Sequence, residues 1–186
     1  MDGYVQLDEI SMDILKEIGN VGTGNAVTSL SQMMEQPIEL DMPSLKVVKY
    51  YKMHELLEQP EELQTGILIE VTGQLKGIFL FMLSEAFTKT VINTILGEEE
   101  RNLTSLDDME CSLISELGNI MCGSYIRALS QLMDMDMDVS VPELCIDMGG
   151  AILTYPMSRW VIVSDDILLI ENIFHMSGEI FKGRIL

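Results

Sequence analysis

The chain has 186 residues, 47% of them apolar, which is enough to bury a core and too much for a disordered protein. Asp and Glu number 30 against 11 Lys and Arg, and the formal net charge of −19 repels phosphate backbones and anionic membranes. General nucleic-acid binding is excluded on that ground, and with 15 Met and only 6% aromatics the core is expected to be aliphatic and thioether.

From the N-terminus, Met1-Asp2-Gly3-Tyr4 has neither a basic segment nor an apolar run, so no secretory signal is read there. No apolar stretch reaches the roughly 18 residues of a membrane helix. The expected location is the cytoplasm, without membrane insertion. A long helix opens with Asp8 as N-cap and runs to about Met34. Strands are expected at Leu45–Tyr51, Gly66–Gln74 and Lys76–Leu83, with a hairpin turn over Gly73 to Lys76. Met53–Glu58 reads as a short helix. A helix over Ser84–Leu96 follows, capped by Ser84 and closed by Gly97.

After the polar connector Glu98–Thr104, a second long helix runs to about Met133, with Ser105 and Asp108 as its capping pair. Gly150–Met157 reads as a second short helix. Strands are expected at Trp160–Ser164, Ile167–Phe174 and Glu179–Ile185. Cys111, Cys122 and Cys145 form no CxxC pair, so neither a disulfide framework nor a zinc site is expected. They read as buried, reduced thiols. His54 and His175 stand alone, away from the long helices, and read as surface or core residues.

Leu7–Met34 aligns without gaps onto Leu106–Met133 at an offset of 99, with ten of 28 positions identical. Pro43 and Pro142 keep the offset, and Ile67–Glu70 matches Leu168–Glu171 two residues later. The chain therefore reads as a duplication, with halves of about 1–98 and 99–186 folded as one domain. The fold class expected is α+β, with an antiparallel sheet. The first half continues into the Ser84–Leu96 helix, and the second ends at Leu186, where the matching helix would begin.

Each long helix carries a polar stripe. At about 100° per residue, Glu17, Asn20 and Gly24 lie within roughly 40° of Asp13. Ser112, Glu116, Asn119 and Gly123 repeat the face. Leu15, Ile18, Gly22, Ala26 and Met33 form the opposite, core-facing side of the first helix. Ile114, Leu117, Met121, Tyr125, Ala128 and Leu132 form that of the second. A solvated polar face explains one Glu or one Asn. It does not explain Asn, a poor helix former, recurring with glycine in both copies. A glycine on the polar face lets another macromolecule approach closely, whereas tight helix packing fits Gly22 better. No nucleophile–base pair, phosphate-binding loop or metal cluster accompanies the stripe. A carboxamide can orient a water, as phosphoryl hydrolysis requires, and a carboxylate can hold a cationic partner group. Such a site is incomplete until a phosphorylated partner supplies the metal and a Lys.

Asp13-x3-Glu17-x2-Asn20-x22-Pro43 and Ser112-x3-Glu116-x2-Asn119-x22-Pro142 resemble the signature of the CheC/CheX/FliY family of chemotaxis phosphatases. Two motifs in one compact chain are the CheC-type arrangement. The resemblance implies a pseudo-two-fold α/β fold with paired long helices exposed on one side of a sheet. It implies hydrolysis of the phospho-aspartate of the response regulator CheY. Asn20 and Asn119 would align the attacking water, and Glu17 and Glu116 would contact the regulator's active-site Lys. Asp13 and Ser112 would help docking, and Pro43 and Pro142 would fix the chain entering the next strand. No cofactor or metal is expected on this chain, Mg2+ being expected on CheY. CheD is the expected regulatory partner. A non-catalytic adaptor that sequesters phosphorylated CheY or CheD is the alternative, as is a FliY-like flagellar switch component.

Overall fold

The structure, a computed structural model, describes residues 8–160 and 166–186. Helix α1 spans Glu9–Met34, and Asp8 caps it by accepting from the Ser11 amide at 2.8 Å. Helix α3 spans Asp108–Met133. Its N-cap is Asp107, which exchanges two 2.8 Å bonds with Glu110 in a capping box. The Ser105–Asp108 pair is thereby corrected. Ser105 ends a 3-10 turn over Leu103–Ser105, two residues too early to reach the free amides of the first helical turn. Both helices end in the left-handed conformation, at Glu35 (φ 52°) and Asp134 (φ 51°), again 99 residues apart.

Strands β1 (Glu39–Leu40) and β2 (Ser44–Lys49) follow α1, and a 3-10 helix over Tyr50–Leu56 takes the place expected for strand residues Tyr50 and Tyr51. Strands β3 (Leu63–Gly73) and β4 (Gly77–Ser84) form the expected hairpin, and helix α2 (Glu85–Leu96) follows with Ser84 as its cap. After α3 come β5 (Met137–Val139) and β6 (Glu143–Met148), for which the sequence raises no expectation. Helix α4 spans Gly149–Trp160, a helix as expected but longer than the Gly150–Met157 segment. Trp160 therefore ends a helix rather than opening a strand, and the remainder of the Trp160–Ser164 expectation lies outside the described residues. Strands β7 (Asp166–Met176) and β8 (Glu179–Ile185) complete the described chain.

All strand pairs are antiparallel and, among the described residues, make one 8-stranded sheet. The centre is β7–β8–β4–β3. The outer strands exchange between halves, with β1 and β2 on β7 and with β5 and β6 on β3. Both outer edges carry the same irregularity. Leu40 faces Phe174 and the Asp41 amide donates to the Ile173 carbonyl, yet Ser44 faces Glu171. One residue has been gained, at Met42–Pro43. On the other edge Val139 faces Val71 and the Ser140 amide donates to the Glu70 carbonyl, yet Glu143 faces Leu68, a gain of one residue at Val141–Pro142. Each is a β-bulge, one of the few sheet positions open to proline.

One sheet face carries α1, α2 and α3. Their shared core includes Leu30, Ile67, Ile69, Phe81, Phe87, Leu117, Tyr125 and Phe174. The opposite face is closed by α4 through Ile152 and Leu153 on Leu68, Leu80 and Met82. Leu132, expected in the core, is 49% exposed, because the last turn of α3 runs past the sheet-facing core. Leu15 and Met33 are only half-buried. Of the cysteines, Cys122 is buried and Cys111 half-buried, but Cys145 is exposed on the edge strand β6.

Candidate functional site on the two long helices

The outward faces of α1 and α3 present the two stripes. Asp13, Glu17, Asn20 and Gly24 are all exposed, as are Ser112, Glu116 and Asn119, while Gly123 is half-buried. In the second stripe the Asn119 amide donates to the Glu116 carboxylate at 3.3 Å. In the first, Lys16 lies 3.4 Å from the Asp13 carboxylate. These carboxylates and carboxamides face solvent, where an incoming group can reach them.

The opposite sides explain how the stripes are held. A Cβ on Gly19 would stand 3.0 Å from Leu45 of β2, and one on Gly118 would stand 2.5 Å from Ile67 of β3. Each glycine immediately precedes its Asn and lets the helix lie close on the sheet. This part was missed in the sequence reading, although both glycines are among the identical positions. Gly22 packs against the Tyr125 ring, with a built Cβ 2.5 Å from Cδ1, as the packing reading of that residue expects. Gly24 and Gly123 differ, since a Cβ at either meets nothing within 4 Å. Nothing inside the described chain requires glycine there.

Beneath the stripes, Thr23 of α1 hydrogen-bonds the Tyr125 hydroxyl of α3, and Thr23 Oγ1 donates to Asn172 of β7 at 3.4 Å. Burial pushes the Tyr125 phenol up to about 12. A second lock ties α2 to the start of α3. Arg101 in the connector pairs with Glu110, both side chains being under a tenth exposed, and also donates to Asn93 at 2.6 Å and to the Gly97 carbonyl at 2.9 Å. His175 is away from both stripes and lies 3.1 Å from Asp41. The His54 side chain is outside the described ones. Among the described residues no group of three His, Cys, Asp or Glu is placed to hold a metal ion. Nor is any described helix long and apolar enough to cross a membrane.

The model of the CheC-like family matches residues 10–46 and 109–146, the stretches from each long helix through its bulge. This match, in two copies, supports reading the chain as a CheC-type family member. It is 28% identical over 176 residues to the CheY-P phosphatase CheC of Bacillus subtilis (strain 168), covering 93% of this chain and 84% of that protein. To the flagellar motor switch phosphatase FliY of the same organism it is 24% identical, and it spans 46% of FliY's length. In fold it is similar to the crystal structure of FliY from Thermotoga maritima, with a TM-score of 0.74 at 23% identity over 97% of this chain and 91% of that one.

Proposed function

We propose that this chain hydrolyses the phospho-aspartate of CheY, using Glu17 and Asn20 at one site and Glu116 and Asn119 at the other. The observation that carries the reading is the repeated stripe. In both copies Glu and Asn stand exposed on the outer helix face, followed by a glycine that the chain's own packing does not need. An exposed stripe suits a macromolecular substrate, which brings its own reactive centre to the helix. Asn holds the attacking water in line with the acyl phosphate, and the work is positioning rather than covalent chemistry. Glu anchors the regulator's Lys. Asp13 and Ser112 contribute to docking, and the magnesium ion is expected on CheY. The family resemblance brings CheD in as regulator. The reading takes residues 1–186 as one CheC-like domain, supported by the exchange of outer strands between halves.

The test is decay of phosphorylated CheY, with Mg2+, on adding substoichiometric protein. Wild type is expected to turn over many equivalents. Asn20→Ala with Asn119→Ala together is expected to lose on the order of 100-fold in rate, the scale of a lost positioning group. The single variants rank the two sites. Binding of phosphorylated CheY without faster decay would replace this reading by that of a sequestering adaptor.

A further inference from the structure

Met42 and Val141 are among the most exposed large apolar residues described, at 84% and 82%. A single exposed apolar side chain is ordinary. Two at the same offset of 99, differing in identity but each displayed by the same one-residue bulge, are not. Both bulges are pinned in the same way. The residue before the apolar one donates its amide across the ladder, Asp41 to Ile173 and Ser140 to Glu70. The residue after it is proline, which holds its neighbour in extended backbone and so fixes where that side chain stands. The bulge thus presents an apolar group to water, twice, at a cost in solvation that the fold does not recover.

Neighbouring contacts locate these groups. The Ile38 amide donates to Ser31 of α1, and Leu45 lies against Gly19. Met42, between them, is level with the stretch of α1 that holds Asn20 and Gly24. In the second half Ser130 donates to the Met135 carbonyl, while Gly118 lies on Ile67, whose ladder partner is Leu144. Val141 is level with the stretch of α3 that holds Asn119 and Gly123. On the helical wheel Asn20 is also the motif residue turned nearest the Leu45 contact, about 100° from it.

We propose that Met42 and Val141 are docking residues, apolar knobs that seat the phosphorylated CheY surface beside each Asn; this rests on the function proposed above. The occupant is that regulator because the knob, the open glycine and the Asn are level with one another. A protein lowering its acyl phosphate to Asn20 must cover Gly24 and reach Met42. The surface it presents carries basic groups opposite Asp13 and Glu17 and an apolar patch opposite Met42. The knobs act on binding and leave the water-positioning Asn untouched. Pro43 and Pro142 are positioning residues that aim them.

The experiment compares full-length wild type, the Met42→Ser/Val141→Ser double variant and the conservative Met42→Leu/Val141→Ile variant with phosphorylated CheY. The serine variant is expected to raise KM about tenfold, the effect of leaving an apolar contact unmade, with kcat within about twofold and the thermal midpoint unchanged. The conservative variant is expected to restore KM. A wild-type KM in the serine variant, or an equal loss in the conservative one, overturns the proposal. Binding of beryllofluoride-loaded CheY keeps the two readings apart. If wild type does not hydrolyse but binds, the function reading falls, and weaker binding by the serine variant still supports the knobs while equal binding overturns them. If wild type neither hydrolyses nor binds, both fall.

Discussion

Gly22 of α1 and Tyr125 of α3 share one space, since a Cβ on residue 22 would stand 2.5 Å from the Tyr125 ring. This contact sets how closely the two motif helices lie, and the Thr23–Tyr125 hydrogen bond beside it sets their relative position. Gly118 makes a like contact, with Ile67 of the sheet. Tyr125 and Ile67 are fully buried, so neither can move aside. Gly22→Ala and Gly118→Ala are each expected to destabilise by roughly 1–3 kcal/mol, the range for overpacking a filled core. Urea denaturation reads this directly. An unchanged midpoint in both would mean that the interface yields.

Gly24 and Gly123 should behave in the opposite way. They have open space around them, so Ala adds helix propensity of roughly 1 kcal/mol without a clash. Gly24→Ala/Gly123→Ala is expected to melt higher than wild type and to hydrolyse phosphorylated CheY more slowly. A more stable variant with full activity would remove the case for close approach at these positions.

The Arg101–Glu110 pair is buried and also serves the capping box of α3. Removing one partner strands the other charge, which costs about 3 kcal/mol or more. Arg101→Met is expected to lose that much by equilibrium unfolding. Arg101→Met/Glu110→Met is expected to recover part of it. A double variant no better than the single would show that the capping function of Glu110 outweighs the charge.

Alkaline pH should weaken the fold through Tyr125 and Cys122. Burial pushes both up to about 12, from ordinary values of about 10 and 8.5. Because the folded values lie higher, their contribution is complete below the unfolded values and is lost as pH climbs toward 12. The urea midpoint is expected to fall between about pH 9 and pH 12, and Tyr125→Phe should flatten the part of that fall above pH 10. Equal slopes in wild type and variant would place the loss elsewhere.

The parts legible in the sequence are those written in local periods. The stripes on α1 and α3 follow from a repeat of 3.6 residues, and the Asp8 cap, the Ser84 cap and the Gly73 hairpin from short-range chemistry. Asp107 is the repeat partner of Asp8 at the offset of 99, and that correspondence points to it rather than to Ser105. The short strands β5 and β6 were not legible, because Met137–Val139 and Glu143–Met148 are half-exposed and interrupted at Val141–Pro142.

By itself the sequence determined the repeat, the family signature and which face of each long helix is polar, since these depend on residue type and spacing alone. Only the tertiary structure decided that β2 pairs with β7 and β6 with β3, and that each pairing gains a residue at its proline. It also decided that Gly19, Gly22 and Gly118 are filled from outside while Gly24 and Gly123 are open. The physical reason is distance along the chain. Register between strands some hundred residues apart, and the occupancy of the space beside a glycine, belong to neighbours that no local period encodes.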